Sequence, residues 1–142
     1  MKTLLLFCLF FVGLVPLIYA QNDTIKTMTG VKYVRLQPGN GQKPQLGDKL
    51  WVLYTGKLEN GRVFDSSMDN TIPFKFKLGK GEVIPGWDEG FRMMTEGEKG
   101  ILLVPSHMAY GETGSGYLKK DDTYVVPPNS NLIFEVELLK IK

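Results

Sequence analysis

The chain carries one cysteine, Cys8, and one histidine, His107, among 142 residues. Cys8 falls inside an apolar N-terminal run, where it reads as filler. From residue 21 onward there is no thiol at all, which excludes a thiol nucleophile, a thiolate metal site and a disulfide framework there. Packing alone must hold that part together. A lone histidine with no evident partner does not make a triad or a metal centre. Charge of one sign is also scarce: the formal net charge is +2, and the run Lys119-Lys120 is cancelled at once by Asp121-Asp122. Nothing in this balance points to nucleic acid.

What is present begins with an export pattern. MKTLLLFCLFFVGLVPLIYA has Lys2 as a positive start, an apolar stretch from Leu4 to Val15, and Ala20 as a small residue before Gln21. That is the layout of a signal peptide over residues 1–20, interrupted by Gly13 and Pro16 and short for a membrane span. A membrane association is expected only if the segment stays uncleaved. Residues 21–30 read as a short polar leader, and 31–142 as one domain large enough for a hydrophobic core. A bacterial periplasm fits export and the absence of cysteine; secretion or a secretory-pathway lumen is the alternative. Leu139-Lys140-Ile141-Lys142 is not a retention signal of the Lys-Asp-Glu-Leu type. No dimerisation segment stands out, so a monomer is expected.

Period-two alternation marks the strands. VKYVRLQ (31–37) is the first. In DKLWVLYTG (48–56), Leu50, Val52 and Tyr54 oppose Trp51, Leu53 and Thr55. VFDSS follows the Asn60-Gly61 turn signal. PFKFKL (73–78) sets Phe74, Phe76 and Leu78 against Lys75 and Lys77. KGILLVP (99–105) and NLIFEVELLKIK (131–142) complete the set, the latter with Leu132, Phe134, Val136 and Leu138 on one side. Ser106 to Ser130 reads as a long irregular segment. One short helix of about two turns is predicted on the stretch GEVIPGWDEG, with Pro85 in its first turn, Asp88 and Glu89 at its positive end, Trp87, Phe91 and Met94 as one apolar stripe, and Gly97 as its stop. The expectation is an α+β fold: an antiparallel sheet with one short helix on one face.

The residues that loops and strand ends should expose are Tyr54, Phe64, Asp65, Phe74, Val83, Ile84, Trp87, Tyr110, Val126 and Phe134. One carboxylate and two phenols among apolar groups are not a kit for acid–base hydrolysis. Periodicity does not separate a pocket wall from a filled interior, so Phe64, Phe74, Phe134 and Trp87 read equally as core. Asp65 reads equally as a turn aspartate before Ser66-Ser67.

The order of motifs decides between these. YTG at 54–56, GRVFDSS at 61–67, PFKFKLGKGEVIPGWDEG at 73–90, AYGETG at 109–114 and VPPNSNLIFEVELL at 126–139 resemble the FK506-binding protein family of peptidyl-prolyl isomerases, over nearly all of residues 31 to 142. The resemblance implies a curved antiparallel sheet wrapped around a short helix, and a pocket between them with Trp87 as its floor. It implies Tyr54, Phe74, Val83, Ile84 and Phe134 as walls, and the Ile84 backbone N–H as a donor to a substrate carbonyl. Tyr110 would offer its hydroxyl near the bond that turns. Asp65, beside Phe64, would face the twisting amide or orient Tyr54, and Val126 would close the rim. The implied partners are X-Pro polypeptides and FK506-like macrolides; no cofactor is implied. An enzyme, or a proline-segment chaperone or adaptor with little turnover, are the two functions such a pocket serves.

Two departures stand out. Where many members carry an arginine that pairs with the aspartate, alignment on Phe64-Asp65 and Pro73-Phe74 places Asn70. An asparagine forms no ion pair, which bears on macrolide affinity more than on isomerisation. The segment 111–128 is longer than in the smallest members. It reads either as a loop overhanging the pocket mouth or as a tolerated surface insertion.

Overall fold

The computed structural model describes residues 23–68 and 72–142. The proposed signal peptide and Asn70 lie outside the described residues. Nine strands and one α-helix follow in chain order: β1 (Thr24–Lys26), β2 (Lys32–Gln37), β3 (Lys49–Leu58), β4 (Val63–Ser66), β5 (Phe74–Lys77), α1 (Pro85–Gly90), β6 (Lys99–Val104), β7 (Ser115–Leu118), β8 (Thr123–Val126) and β9 (Leu132–Ile141). Every pairing is antiparallel. The main sheet runs β1-β2-β6-β9-β3-β4, and β5 also pairs with β3.

The long central strands β3 and β9 are paired along their whole length, from Leu50 opposite Ile141 to Leu58 opposite Leu132. Their alternation sends Leu50, Val52, Leu132, Phe134, Val136 and Leu138 into the core. From β5 come Phe76 and Leu78, and from the helical segment Trp87, Phe91 and Met94, all buried. So the stripe expected of the helix is the one that packs. The helix itself is shorter than the stripe. It ends at Gly90 and continues as a 3-10 turn over Phe91–Met93.

Two glycines let the helix lie close against β6. A Cβ on Gly86 would stand 2.3 Å from Val104 Cγ1, and one on Gly90 2.5 Å from Leu102 Cδ2. Such distances are inside van der Waals contact, so any side chain there would push helix and sheet apart.

Two local expectations change and a third gains detail. Residues expected to be a polar leader supply β1, which adds an edge strand through pairs such as Ile25 with Tyr33. The segment 106–130 is not irregular: it holds 3-10 turns at Ser106–Met108 and Gly111–Thr113, then the β7–β8 hairpin. Asp88 stands in the first turn of the helix as expected, but it makes no capping hydrogen bond there. Its carboxylate accepts hydrogen bonds from the backbone N–H groups of Gly79 (2.7 Å) and Gly81 (3.2 Å) in the preceding loop. Both glycines have positive φ, 74° and 67°, a conformation that presents successive N–H groups to one anion and that side chains resist.

Candidate active site

The outer edge of β3 changes partner at its middle. β5 pairs with its first half, ending at Val52–Phe74, and β4 with its second half, beginning at Thr55–Ser66. Tyr54 falls in the gap. Its backbone is held instead by Ser67, whose Oγ accepts from Tyr54 N–H at 2.8 Å and whose N–H donates to Tyr54 O at 2.9 Å. The gap opens a cavity of about 190 Å³ between sheet and helix, lined by Tyr54, Phe64, Asp65, Phe74, Glu82, Val83, Ile84, Trp87, Tyr110 and Phe134.

Trp87 is the floor. It is 4 % exposed, and rings surround it: Tyr54 at 4.8 Å, Phe91 and Phe134 at 5.3 Å, Phe76 at 5.8 Å and Phe74 at 5.9 Å between centroids. Tyr54, Phe74 and Phe134 meet it near perpendicular, at 81°, the edge-to-face geometry that aromatic quadrupoles favour. Its Nε1–H is buried with no hydrogen-bond partner among the described residues. Phe64 stands edge-on to Phe134 at 5.7 Å. Gly56 makes room for that pair, since a Cβ there would lie 2.7 Å from Phe64 and 2.9 Å from Phe134.

The polar groups are few and placed at the edge. Tyr54 donates its hydroxyl to Asp65 Oδ2 at 2.7 Å. So Asp65 has a neutral hydrogen-bond partner whatever stands at position 70. Burial, and then the bond to Asp65 and its charge, push the Tyr54 phenol well above its ordinary value. Burial, and then the charge of Asp65, push Tyr110 up as well. Both phenols therefore stay protonated and able to donate throughout the neutral range. Among the described residues, neither the Tyr110 hydroxyl nor the Ile84 backbone N–H meets an acceptor. Ile84 is the residue before the helix, and its carbonyl accepts from Trp87 N–H at 2.9 Å and Asp88 N–H at 3.3 Å. The cavity thus has apolar walls with two free donors at its margin.

Nine of the ten residues singled out in the sequence meet around this cavity. Val126 does not. It is 2 % exposed, pairs with Ser115 across the β7–β8 hairpin and turns its side chain into the core, so it closes no rim. Glu82 is the lining residue that the sequence reading missed; its Oε2 accepts from Lys77 N–H at 2.9 Å. The only signal for it was its place beside Val83-Ile84. The hairpin lines no part of the cavity. It is anchored beside it by Arg62, whose Nη2 donates to the Val125 carbonyl at 2.9 Å. His107 has a structural partner, the Thr29 carbonyl at 2.8 Å from Nε2.

An aromatic-floored cavity with donors beside apolar walls defines a binding site for a small apolar group with polar neighbours. Known proteins agree with that class. The family model described as "FKBP-type peptidyl-prolyl cis-trans isomerase" matches residues 40–139. The FK506-binding protein 1 of Candida glabrata is 48% identical over 113 residues, 79% of this chain and 93% of that protein. The peptidyl-prolyl cis-trans isomerase Fkbp12 of Drosophila melanogaster is 46% identical over 114 residues, 80% of this chain and 99% of that protein. Among solved structures, AtFKBP13 superposes with a TM-score of 0.76 at 35% identity, covering 84% of this chain and 99% of that one. The chain belongs to the FKBP-type peptidyl-prolyl cis-trans isomerase family, and the activity that goes with it is rotation about X-Pro peptide bonds.

Proposed function

We propose that the chain accelerates X-Pro isomerisation in exported polypeptides, without covalent chemistry, by desolvating and orienting the bond in the aromatic cavity. An X-Pro bond turns slowly because amide resonance opposes twisting, with a barrier of about 18–20 kcal/mol. In the twisted state that resonance and its charge separation are lost. An apolar cavity favours the less polar state over the planar one. The proline ring rests on Trp87 between Tyr54, Phe74 and Phe134. The Ile84 N–H donates to a carbonyl of the bound segment, and the Tyr110 hydroxyl to the carbonyl beside the turning bond. Asp65, held by Tyr54, sets the electrostatic field on that side. Each 1.36 kcal/mol by which these contacts favour the twisted state is about tenfold in rate.

The observation that carries the reading is the pairing of a buried indole floor with two donors, the Tyr110 hydroxyl and the Ile84 N–H, that meet no acceptor among the described residues. Export rests on the sequence of residues 1–20, and a bacterial periplasm on that export pattern with no cysteine in residues 21–142. The same cavity is suited to FK506-like macrolides. The test is the cis-to-trans rate of a short Leu-Pro peptide with the purified chain, Trp87→Ala and Tyr110→Phe. The parent accelerates it and both variants are weaker. Since Trp87→Ala empties a core position, at a cost of about 3–5 kcal/mol, Tyr110→Phe is the variant that isolates the site. No acceleration by a folded parent overturns the reading and leaves a module that holds proline segments.

A further inference from the structure

The face of the sheet turned away from the cavity carries a cluster that isomerisation does not use. Side chains directly opposite one another on antiparallel strands project from the same face. Trp51 of β3 is opposite Lys140 of β9 on one side and Lys75 of β5 on the other. Further along, Lys49 is opposite Lys77, and it exchanges both backbone hydrogen bonds with Lys142, at 2.8 and 3.0 Å. Five lysines and one tryptophan therefore form two rows of three across three strands. With strands about 4.8 Å apart, the cluster is about 10 Å wide. All five lysines are exposed and Trp51 is half-buried. The ammonium groups of Lys49, Lys75 and Lys140 lie 5.6, 5.8 and 5.7 Å from the indole.

No ion pair among the described residues ties these lysines down. Among the described residues, the ion pairs are Arg35–Asp23, Arg35–Glu98, Lys57–Glu135 and Lys99–Glu137, none of which involves these five lysines. The acids nearest along the chain bond backbone N–H groups in or beside the cluster and, among the described residues, no lysine ammonium. Asp48 accepts from Gln45 N–H, Glu96 from Ile141 N–H and Glu82 from Lys77 N–H. Like charges directly opposite one another weaken a sheet, and here three lysines stand abreast. A chain of net charge +2 thus gathers five unpaired cations on one patch.

We propose that this face docks on an anionic lipid bilayer. The array is two-dimensional, as a layer of headgroups is; a strand of acidic peptide or nucleic acid would follow one row and leave the other unmatched. An indole at its centre suits the membrane–water interface, where tryptophan is enriched, and lysine stems lie along apolar surface while their ammonium groups reach out. Further along the same face Leu53 lines a shallow groove with Leu36 and Met68, beside Glu135 and Glu137, whose charges are met by Lys57 and Lys99. Alternation places Tyr54 and Phe74 of the cavity on the opposite face from Trp51 and Lys75, so docking leaves the cavity open to substrate.

The test is co-sedimentation of the full chain with vesicles of phosphatidylcholine alone and of phosphatidylcholine with phosphatidylserine. Because residues 4–15 are apolar, the comparison of parent with variant on the same vesicles is the readout. The parent prefers the phosphatidylserine vesicles, and the preference fades as salt screens it. Lys75→Gln/Lys140→Gln weakens that binding about 25-fold, fivefold for each lysine. Lys75→Arg/Lys140→Arg retains it, and all three proteins turn over the Leu-Pro peptide alike. Equal binding to both vesicle types, or equal binding by parent and the glutamine variant, overturns the proposal. So does tighter binding to polyglutamate or to an oligonucleotide than to the vesicles, which would reassign the face to a linear polyanion.

Discussion

At the scale of single residues, the site depends on groups that do little chemistry of their own. The Tyr54 hydroxyl is the clearest case, since its bond of 2.7 Å to Asp65 is the contact that fixes the carboxylate at the cavity edge. Tyr54→Phe keeps the ring that packs on Trp87 and removes only that donor. The expected result is a loss of about tenfold in kcat/KM, the worth of one such hydrogen bond, with an unchanged melting temperature. An unchanged rate would show that Asp65 needs no partner. Most of these residues were legible because they sit in an ordered series of motifs. Val126 was misplaced because a valine before Pro127-Pro128 looks exposed, whereas the hairpin turns it inward. Glu82 was passed over because a charged residue in a glycine-rich loop gives no pattern of its own.

At the scale of elements, one buried network ties β2 to the turn before β6. Glu98 is 1 % exposed. Its Oε1 accepts from Tyr33 Oη at 2.5 Å and Arg35 Nε at 3.0 Å, and its Oε2 from Thr95 Oγ1 at 2.6 Å and Thr95 N–H at 3.1 Å. Burial alone would push the carboxyl up, but the hydrogen bonds from Thr95, Tyr33 and Arg35 outweigh it and hold it below its ordinary value. A depressed folded-state value stabilises the protein above the unfolded value, about 4.3, and that stability is lost as the pH falls below it. Thermal melts from about pH 7 down to about pH 3 should show it. Glu98→Gln should cost about 1.5–3 kcal/mol at neutral pH and flatten the acid decline. A variant that declines in parallel with the parent would contradict this role. The same strands show what a sequence can give away. β3, β5 and β9 alternate cleanly because one face is buried. β7 and β8 are four residues each, β7 is interrupted by Gly116, and their signal drowned in the polar segment. Asp121-Asp122, with Asp122 at φ 50°, was the turn that could have revealed them. β1 is exposed throughout, so no hydrophobic pattern marked it.

At the scale of the whole molecule, the sheet separates two surfaces. One cups the helix and the cavity, and the other carries Trp51 among its lysines. The fold class was legible because period-two strands and one short amphipathic helix leave few architectures. The six residues of α1 agree with the two turns expected; its close approach to β6 was not legible, since Gly86 and Gly90 matter through contact with that strand and not through any local pattern. Export is the property to be tested on the intact chain. The mass of the protein recovered from an expressing cell's exported fraction should correspond to a chain beginning at Gln21. A chain that still begins at Met1 would mean that the segment is an anchor.

The central claim is that this cavity turns the X-Pro bond by placement and desolvation, with no proton in flight. The solvent isotope effect on kcat/KM for a Leu-Pro peptide, measured in H2O and D2O, tests that most directly. The account predicts a ratio near unity, since the hydroxyl of Tyr110 and the N–H of Ile84 donate hydrogen bonds without giving up their protons. A ratio well above unity would place proton transfer in the rate-limiting step and contradict it.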